Sequence, residues 1–245
     1  MSTRDIVQDI VKHTAGLGFI TSVKVTGTDE STTLDAMDAD RTVILQAKLH
    51  NTVDEFKGEF GLGNLGFLAG VTALPNYQTD DSTVEVVTRE RNGVTSPDHL
   101  MFRDVEGNTD QYRFMSKEII EQTLQTVKFK GVEWNITINP TVAAIQRLAY
   151  QAQVHAEEAT FIAKTINNNL EFVFGDHSTH AGNFVFHPDV EGKLTHGWAW
   201  PVLQIQSILK LAGDKTMMIS DSGAAQINVD SGLAVYEYIL PAQSK

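Results

Sequence analysis

The sequence predicts an α+β chain of two similarly built halves, each combining helices with antiparallel sheet. Three observations carry that reading. Most of the chain falls into short runs that alternate apolar and polar residues, the period of a half-buried strand. Only four segments have helical periodicity, and proline, glycine or hydroxyl residues punctuate their ends. The order of helix, three or four strands, helix and three strands occurs once before about residue 116 and again after about residue 131.

The first helix is expected over Thr3 to Ala15, with Ser2 or Thr3 as N-cap. Alternating strands follow at 19–27, 31–39 and 42–49. The second helix runs from Asn64 to Leu74, where Pro75 stops it. Strands at 82–90, 98–105 and 110–115 complete the first half. The stretch "SKEIIEQTLQTVKFKG", 116–131, lacks a Gly/Pro turn cluster and reads as a linker with helical tendency. The third helix, Thr141 to Ala156, follows Pro140, and strands follow it at 158–166, 169–176 and 182–189. Pro201 and Gly213 bracket the fourth helix, Val202 to Ala212. A strand at 216–222 and a closing hairpin finish the chain. In the hairpin, Gln226, Asn228 and Asp230 alternate with Ile227 and Val229. The turn is Ser231-Gly232, and Pro241, lacking a donor, ends the second arm. The expected boundaries are a first domain over 1–116, a connector over 117–130 and a second domain over 131–245.

Composition narrows the function. A chain of 245 residues that is 42% hydrophobic can bury a proper core. With no cysteine, disulfides and thiolate metal sites are excluded. No apolar run approaches the ~20 residues that span a bilayer. Asp5 and Asp9 stand where a signal peptide would be basic and then apolar, so the expected location is cytoplasmic. The net charge of −12 argues against gripping nucleic acid over the whole surface. A DNA role would need a locally basic patch on an acidic body.

Two stretches invite a small-ligand reading. "GLGNLG", Gly61 to Gly66, matches G-x-G-x-x-G before a helix, the pattern that cradles a pyrophosphate. The segment before it, "DEFKGEF", alternates charge and aromatic residues, unlike a buried parallel strand. The competing reading is that small residues let Phe67 and Leu68 pack tightly on a sheet. His177, His180, His187 and His196 lie within twenty residues alongside Asp176 and Asp189, which makes a metal site conceivable. They form neither an H-x-H pair nor H-E-x-x-H, and a solvated loop between strands is the alternative. G-x-S-x-G is absent. The expectation is no catalytic residue, no cofactor and no metal.

The helices say more. Leu62 to Pro75, Pro140 to Ala156 and Pro201 to Ala212 contain no Asp or Glu, where overall composition would place about five. The third helix is expected to bury Val142, Ile145, Leu148, Ala149 and Ala152 and to show Gln146, Arg147, Gln151 and Gln153. The fourth is expected to bury Val202, Ile205, Ile208 and Leu209, leaving Gln206, Ser207 and Lys210. Arg4, Gln8 and Lys12 line up at i, i+4 and i+8 on the first. An acid-poor, mildly basic face can lie against phosphates, and glutamine and lysine reach them without reading sequence.

"TTLDAMDADRTVILQAKL", 32–49, resembles the segment of sliding clamps of the proliferating-cell-nuclear-antigen type in which an L-x-x-M-D strand end leads into the next strand. "FKGEFGLGNLGFLAGVTAL" occupies the place of that family's strand and second helix, and "GLAVYEYILPA" resembles its last strand and ending. The longer "GAAQINVDSGLAVYEYILPA" also resembles the C-terminus of tailed-phage clamps. The resemblance implies a two-domain DNA-clamp fold and three subunits closed into a ring around duplex DNA. It implies a non-enzymatic processivity factor that tethers a polymerase and is opened by a loader.

By that resemblance Arg147 and Lys210 match basic positions facing DNA, and Arg4, Gln8, Lys12 and Gln151 join them. The second helix departs, having no lysine. A partner peptide would meet Met37, Ile44, Ile119, Ile120, Leu124, Tyr238, Leu240, Pro241 and Ala242. Ring closure would pair the edge at 110–115, with Tyr112 and Phe114, with that at 182–189, with Phe184 and Phe186. The expected partners are double-stranded DNA without sequence preference, a DNA polymerase, a clamp loader and further copies of the chain. Bacteriophage replication in a host cytoplasm is the expected setting. The readings set against it are a nucleotide-binding enzyme using Gly61 to Gly66 and a β-rich virion structural protein.

Overall fold

The structure is a computed structural model that describes all residues except 1, 92, 125–128, 177–179 and 244–245. It divides into two compact units. One comprises Met1–Val127 with Ser231–Tyr236, and the other Lys128–Asp230 with Glu237–Lys245.

The first unit begins with helix α1, Thr3–His13. Ser2 caps it reciprocally: its hydroxyl accepts from the Asp5 amide at 3.2 Å, and the Asp5 carboxylate accepts from the Ser2 amide at 2.9 Å. Strands β1 (Val23–Gly27), β2 (Thr32–Met37), β3 (Ile44–Leu49) and β4 (Gly58–Leu62) form an antiparallel run in the order β4-β1-β2-β3. Their inward residues, including Val23, Val25, Leu34, Ala36, Leu45 and Phe60, are buried, which is what alternation requires. Helix α2 spans Leu65–Thr72. Strands β5 (Thr83–Arg91), β6 (Val94–Arg103) and β7 (Thr109–Arg113) make a three-stranded antiparallel sheet with β7 at one edge. Helix α3, Lys117–Thr123, closes this part of the chain.

The second unit starts with β8 (Ile136–Ile138) and helix α4 (Val142–Val154), whose first turn is capped by the Thr141 hydroxyl accepting from the Ala144 amide at 3.1 Å. Strands β9 (Thr160–Ile166), β10 (Asn169–Phe174), β11 (Gly182–His187) and β12 (Ala199–Pro201) form a sheet in the order β11-β10-β9-β12. Phe161, Phe172, Phe174, Phe184 and Phe186 are all buried there. Phe172 lies 4.2 Å from both Phe161 and Phe186, ring centre to ring centre. Helix α5 (Val202–Leu209) leads to β13 (Asp214–Ser220), β14 (Ala224–Asp230) and β15 (Ala234–Pro241), with β8 pairing along β13. Strand β15 is divided between the units, Ala234–Tyr236 counting with the first and Glu237–Pro241 with the second.

The helical tendency expected of the connector appears as helix α3, whose Ile120 is wholly buried in the first unit. Residues 125–128 of that connector lie outside the described residues. In α4, Val142 is exposed instead of buried, because it sits at the first helical position, ahead of the inward residues Ala144 and Leu148.

Candidate nucleic-acid interface

On α1 the two acids that oppose a phosphate-facing role are both engaged. Asp5 belongs to the cap, and its backbone hydrogen bond to Ser2 holds it below the usual aspartate range. Asp9 accepts from the Ser231 hydroxyl at 2.9 Å and the Tyr236 hydroxyl at 2.8 Å. Burial pushes its pKa up, but hydrogen bonds from His13, Tyr236 and Ser231 outweigh this and hold it low. Lys12 is exposed and Gln8 half-buried. Gln8 borders a small cleft with Arg4, Thr72 and Tyr77. Arg4 is engaged within the unit. Its guanidinium donates to the Thr79 carbonyl and, at 2.9 Å, to the Ser82 hydroxyl, so it braces the turn before β5.

In the second unit α4 and α5 lie side by side and frame a groove of about 830 Å³. Ala149, Ala152, Ala156 and Ala159 contribute small side chains to it, and Tyr150, Gln153, Leu203, Gln204, Gln206 and Lys210 larger ones. Arg147 is exposed and donates to the Val185 carbonyl at 3.2 Å, while Lys210 is exposed at the end of α5 and Gln151 is half-buried. The buried side of α5, Val202, Ile205, Ile208 and Leu209, is the one its periodicity predicts. Tyr150, Leu203, Val142 and Val154 are 64–77% exposed. Sequence reasoning did not single out Tyr150 or Leu203; an aromatic or leucine outside the apolar stripe was the available signal.

The expected peptide-contact residues separate by burial. Met37 and Ile44, paired across the ends of β2 and β3, are half-buried, and Ile119 is half exposed. Pro241 is exposed and Ala242 half-buried. Ile120, Leu124, Tyr238 and Leu240 are buried in the core. The L-x-x-M-D motif has a structural task in the loop after β2. Asp38 accepts from the amides of Thr42 at 2.7 Å and Val43 at 2.8 Å and from the Thr42 hydroxyl, which closes that loop. Just after Pro241, the Ala242 amide donates to the Gly223 carbonyl and the Gln243 amide to the Ala199 carbonyl, both at 2.9 Å.

The four aromatics expected at subunit contacts are likewise buried. Tyr112 donates to the Gly63 carbonyl, Phe114 stacks on Phe60 at 4.5 Å, and Phe184 and Phe186 pack on Phe172. These side chains point inward; β7 and β11 offer backbone at sheet edges.

The glycine-rich stretch does not form a phosphate cradle. Gly61 lies in β4, antiparallel to β1, and a Cβ there would meet Ile120 atoms at 2.7–2.9 Å. A Cβ on Gly63 would meet the Met115 sulfur at 2.4 Å. The glycines make room for the chain around α3. Leu68 is buried as expected, but Phe67 is 47% exposed. Among the described residues no three His, Asp or Glu side chains gather as a metal site. His196 lies 3.5 Å from Asp221, His187 approaches the Pro188 carbonyl at 2.7 Å, and His177 is outside the described residues.

No protein-family model and no curated protein matches the sequence. Solved structures do match it over their whole length. The PCNA of A. fulgidus, solved with the C-terminal region of FEN-1 bound, superposes with TM-score 0.72 at 10% identity, covering 100% of this chain and 97% of that one. PCNA from Thermococcus kodakaraensis gives 0.69 at 13% identity over 99% and 98%. A chain of the PCNA2–PCNA3 complex from Sulfolobus tokodaii gives 0.67 at 9% identity over 100% and 98%. From α1 to β15, the chain has the fold of the PCNA sliding clamps.

Proposed function

We propose that this protein is a processivity factor: a ring of identical subunits that encircles duplex DNA without reading its sequence and tethers a DNA polymerase. The observation that carries the reading is a full-length match to the clamp fold in a chain whose α2, α4 and α5 contain no carboxylate. A ring linked topologically to DNA needs little affinity. Each neutralised phosphate would add counterion-release affinity and slow sliding. Few cations on acid-free helices, set in a chain of charge −12, suit that task. In this reading Lys12, Gln8, Arg147, Gln151 and Lys210 face DNA, the protein performs no chemistry, and it needs no cofactor.

The Sulfolobus tokodaii neighbour is a complex of two clamp chains, which supports self-assembly. We assign three subunits, joined through the backbone edges of β7 and β11. The FEN-1 segment on the A. fulgidus clamp supports capture of partner peptides. We assign such contacts to Met37, Ile44 and Ile119 in the first unit and to Pro241 and Ala242 in the second. A loader protein would open the ring, and we assign the ring to a phage replication fork in a host cytoplasm because its closing hairpin resembles that of phage clamps.

The test is retention on DNA. Loaded onto nicked circular duplex, the protein should co-elute with it and be lost on linearisation. The free protein should sediment at about 81 kDa, three times the 27.0 kDa chain. A monomer held equally by linear and circular DNA would overturn the reading.

A further inference from the structure

The surface of α4 and α5 is poor in cations and rich in uncharged donors and apolar groups. Arg147 already has a carbonyl partner at 3.2 Å, and among the described residues Lys210 is the one lysine lining the groove. Among the described residues, Glu158 is its one lining carboxylate. Between them the lining offers four glutamines, Gln153, Gln204, Gln206 and Gln243, and the Tyr150 ring. Leu203 and Tyr150 stand out from the groove, and Val142 and Val154 from α4, all of them 64–77% exposed. Among the described residues, four of the nine exposed large hydrophobics are on these two helices. Exposed apolar groups gathered in this way mark a contact surface.

We infer that this helix pair holds duplex DNA chiefly through uncharged side chains, with glutamine amides and the Tyr150 hydroxyl donating to phosphate oxygens and Tyr150, Leu203 and Val154 lying against deoxyribose. The inference rests on the processivity-factor reading and specifies how its DNA surface works. The distribution of charge favours a polyanion as occupant: carboxylates, 31 in the chain, are kept out of Pro140 to Ala156 and Pro201 to Ala212, so these helices are the surface that does not repel one. Neutral donors bond phosphate oxygens without displacing condensed counterions, so they add hold without salt dependence. The salt dependence of the hold is therefore limited to the few cations that face the duplex, and the uncharged share of it persists at high salt.

The experiment measures binding of the intact protein to a fluorescent linear duplex by anisotropy from 50 to 400 mM salt. The expected result is weak binding whose log–log salt slope stays at or below about 2 per subunit, since each neutralised phosphate contributes about 0.9. Tyr150→Ala with Leu203→Ser, both exposed and so leaving the fold intact, should weaken binding several-fold at every salt concentration without altering the slope. Gln153→Lys should steepen the slope by about 0.9, because it adds one ion pair to the same face. A steep slope in the unmodified protein, or indifference to the Tyr150/Leu203 change, overturns this inference and leaves the clamp reading standing. Absence of duplex binding by every variant, together with no retention on circular DNA, overturns the clamp reading itself.

Discussion

The Tyr236 ring lies flat on the His13 ring, centroids 4.2 Å apart and planes 9° from parallel, while its hydroxyl donates to Asp9 at 2.8 Å. The first helix and the start of the last strand are thus joined by a stack and a carboxylate that serves Ser231 as well.

Asp9→Ala should lower stability by about 2–3 kcal/mol, because it strips a charged acceptor from the hydroxyls of Ser231 and Tyr236. Urea unfolding would check it. Loss of under half a kcal/mol would show that the contact is incidental.

Acid should weaken the fold in a definite window. Asp104 and Asp221 are both held near pKa about 2. For Asp104, hydrogen bonds from Asn76 and Asn108 come first; for Asp221, burial raises the value but bonds from Thr195 and His196 prevail. Depressed carboxylates give stability that is present above the ordinary aspartate value and lost as pH falls through the folded one. Midpoints of denaturation should therefore fall between about pH 4 and pH 2. Asp221→Asn should flatten that fall as well as lower stability at neutral pH.

The glycines of "GLGNLG" should respond oppositely to a methyl group. Gly61→Ala forces atoms into Ile120 and should cost roughly 1–3 kcal/mol by overpacking. Gly66→Ala, with nothing within 4 Å of the new carbon, should be neutral or stabilise α2 by up to about 1 kcal/mol. Melting temperatures of the two variants give the comparison. A pyrophosphate site would instead make Gly66 the intolerant position.

Phe184→Ala should destabilise the folded chain by about 3–5 kcal/mol whatever its oligomeric state, since the ring packs on Phe172. Calorimetry should show the loss. A dissociated but equally stable protein would restore Phe184 to the subunit contact.

Much of this was legible in the residues. Period-two alternation located most strands, and the Pro201–Gly213 bracket located α5 with its buried side. Short β8 and β12, three residues each, were missed because three residues do not establish a period. The contact residues were harder. Tyr238, Leu240, Ile120 and Phe114 are apolar positions whose type cannot say whether they line a surface or fill the core behind it. Arg4 looked available because its acceptors, Thr79 and Ser82, lie more than seventy residues away. Asp38 was noticed as a motif, yet its loop-closing bonds required coordinates.

Ser231–Tyr236 belong with a body otherwise complete by Val127. During synthesis on the ribosome, the first body must wait for more than a hundred further residues before its own closing strand emerges. A fragment ending at 127 should thus leave α1 without the aromatic and hydroxyl partners of its His13 and Asp9, and excising the first half as a self-standing piece should fail unless that six-residue segment is grafted back.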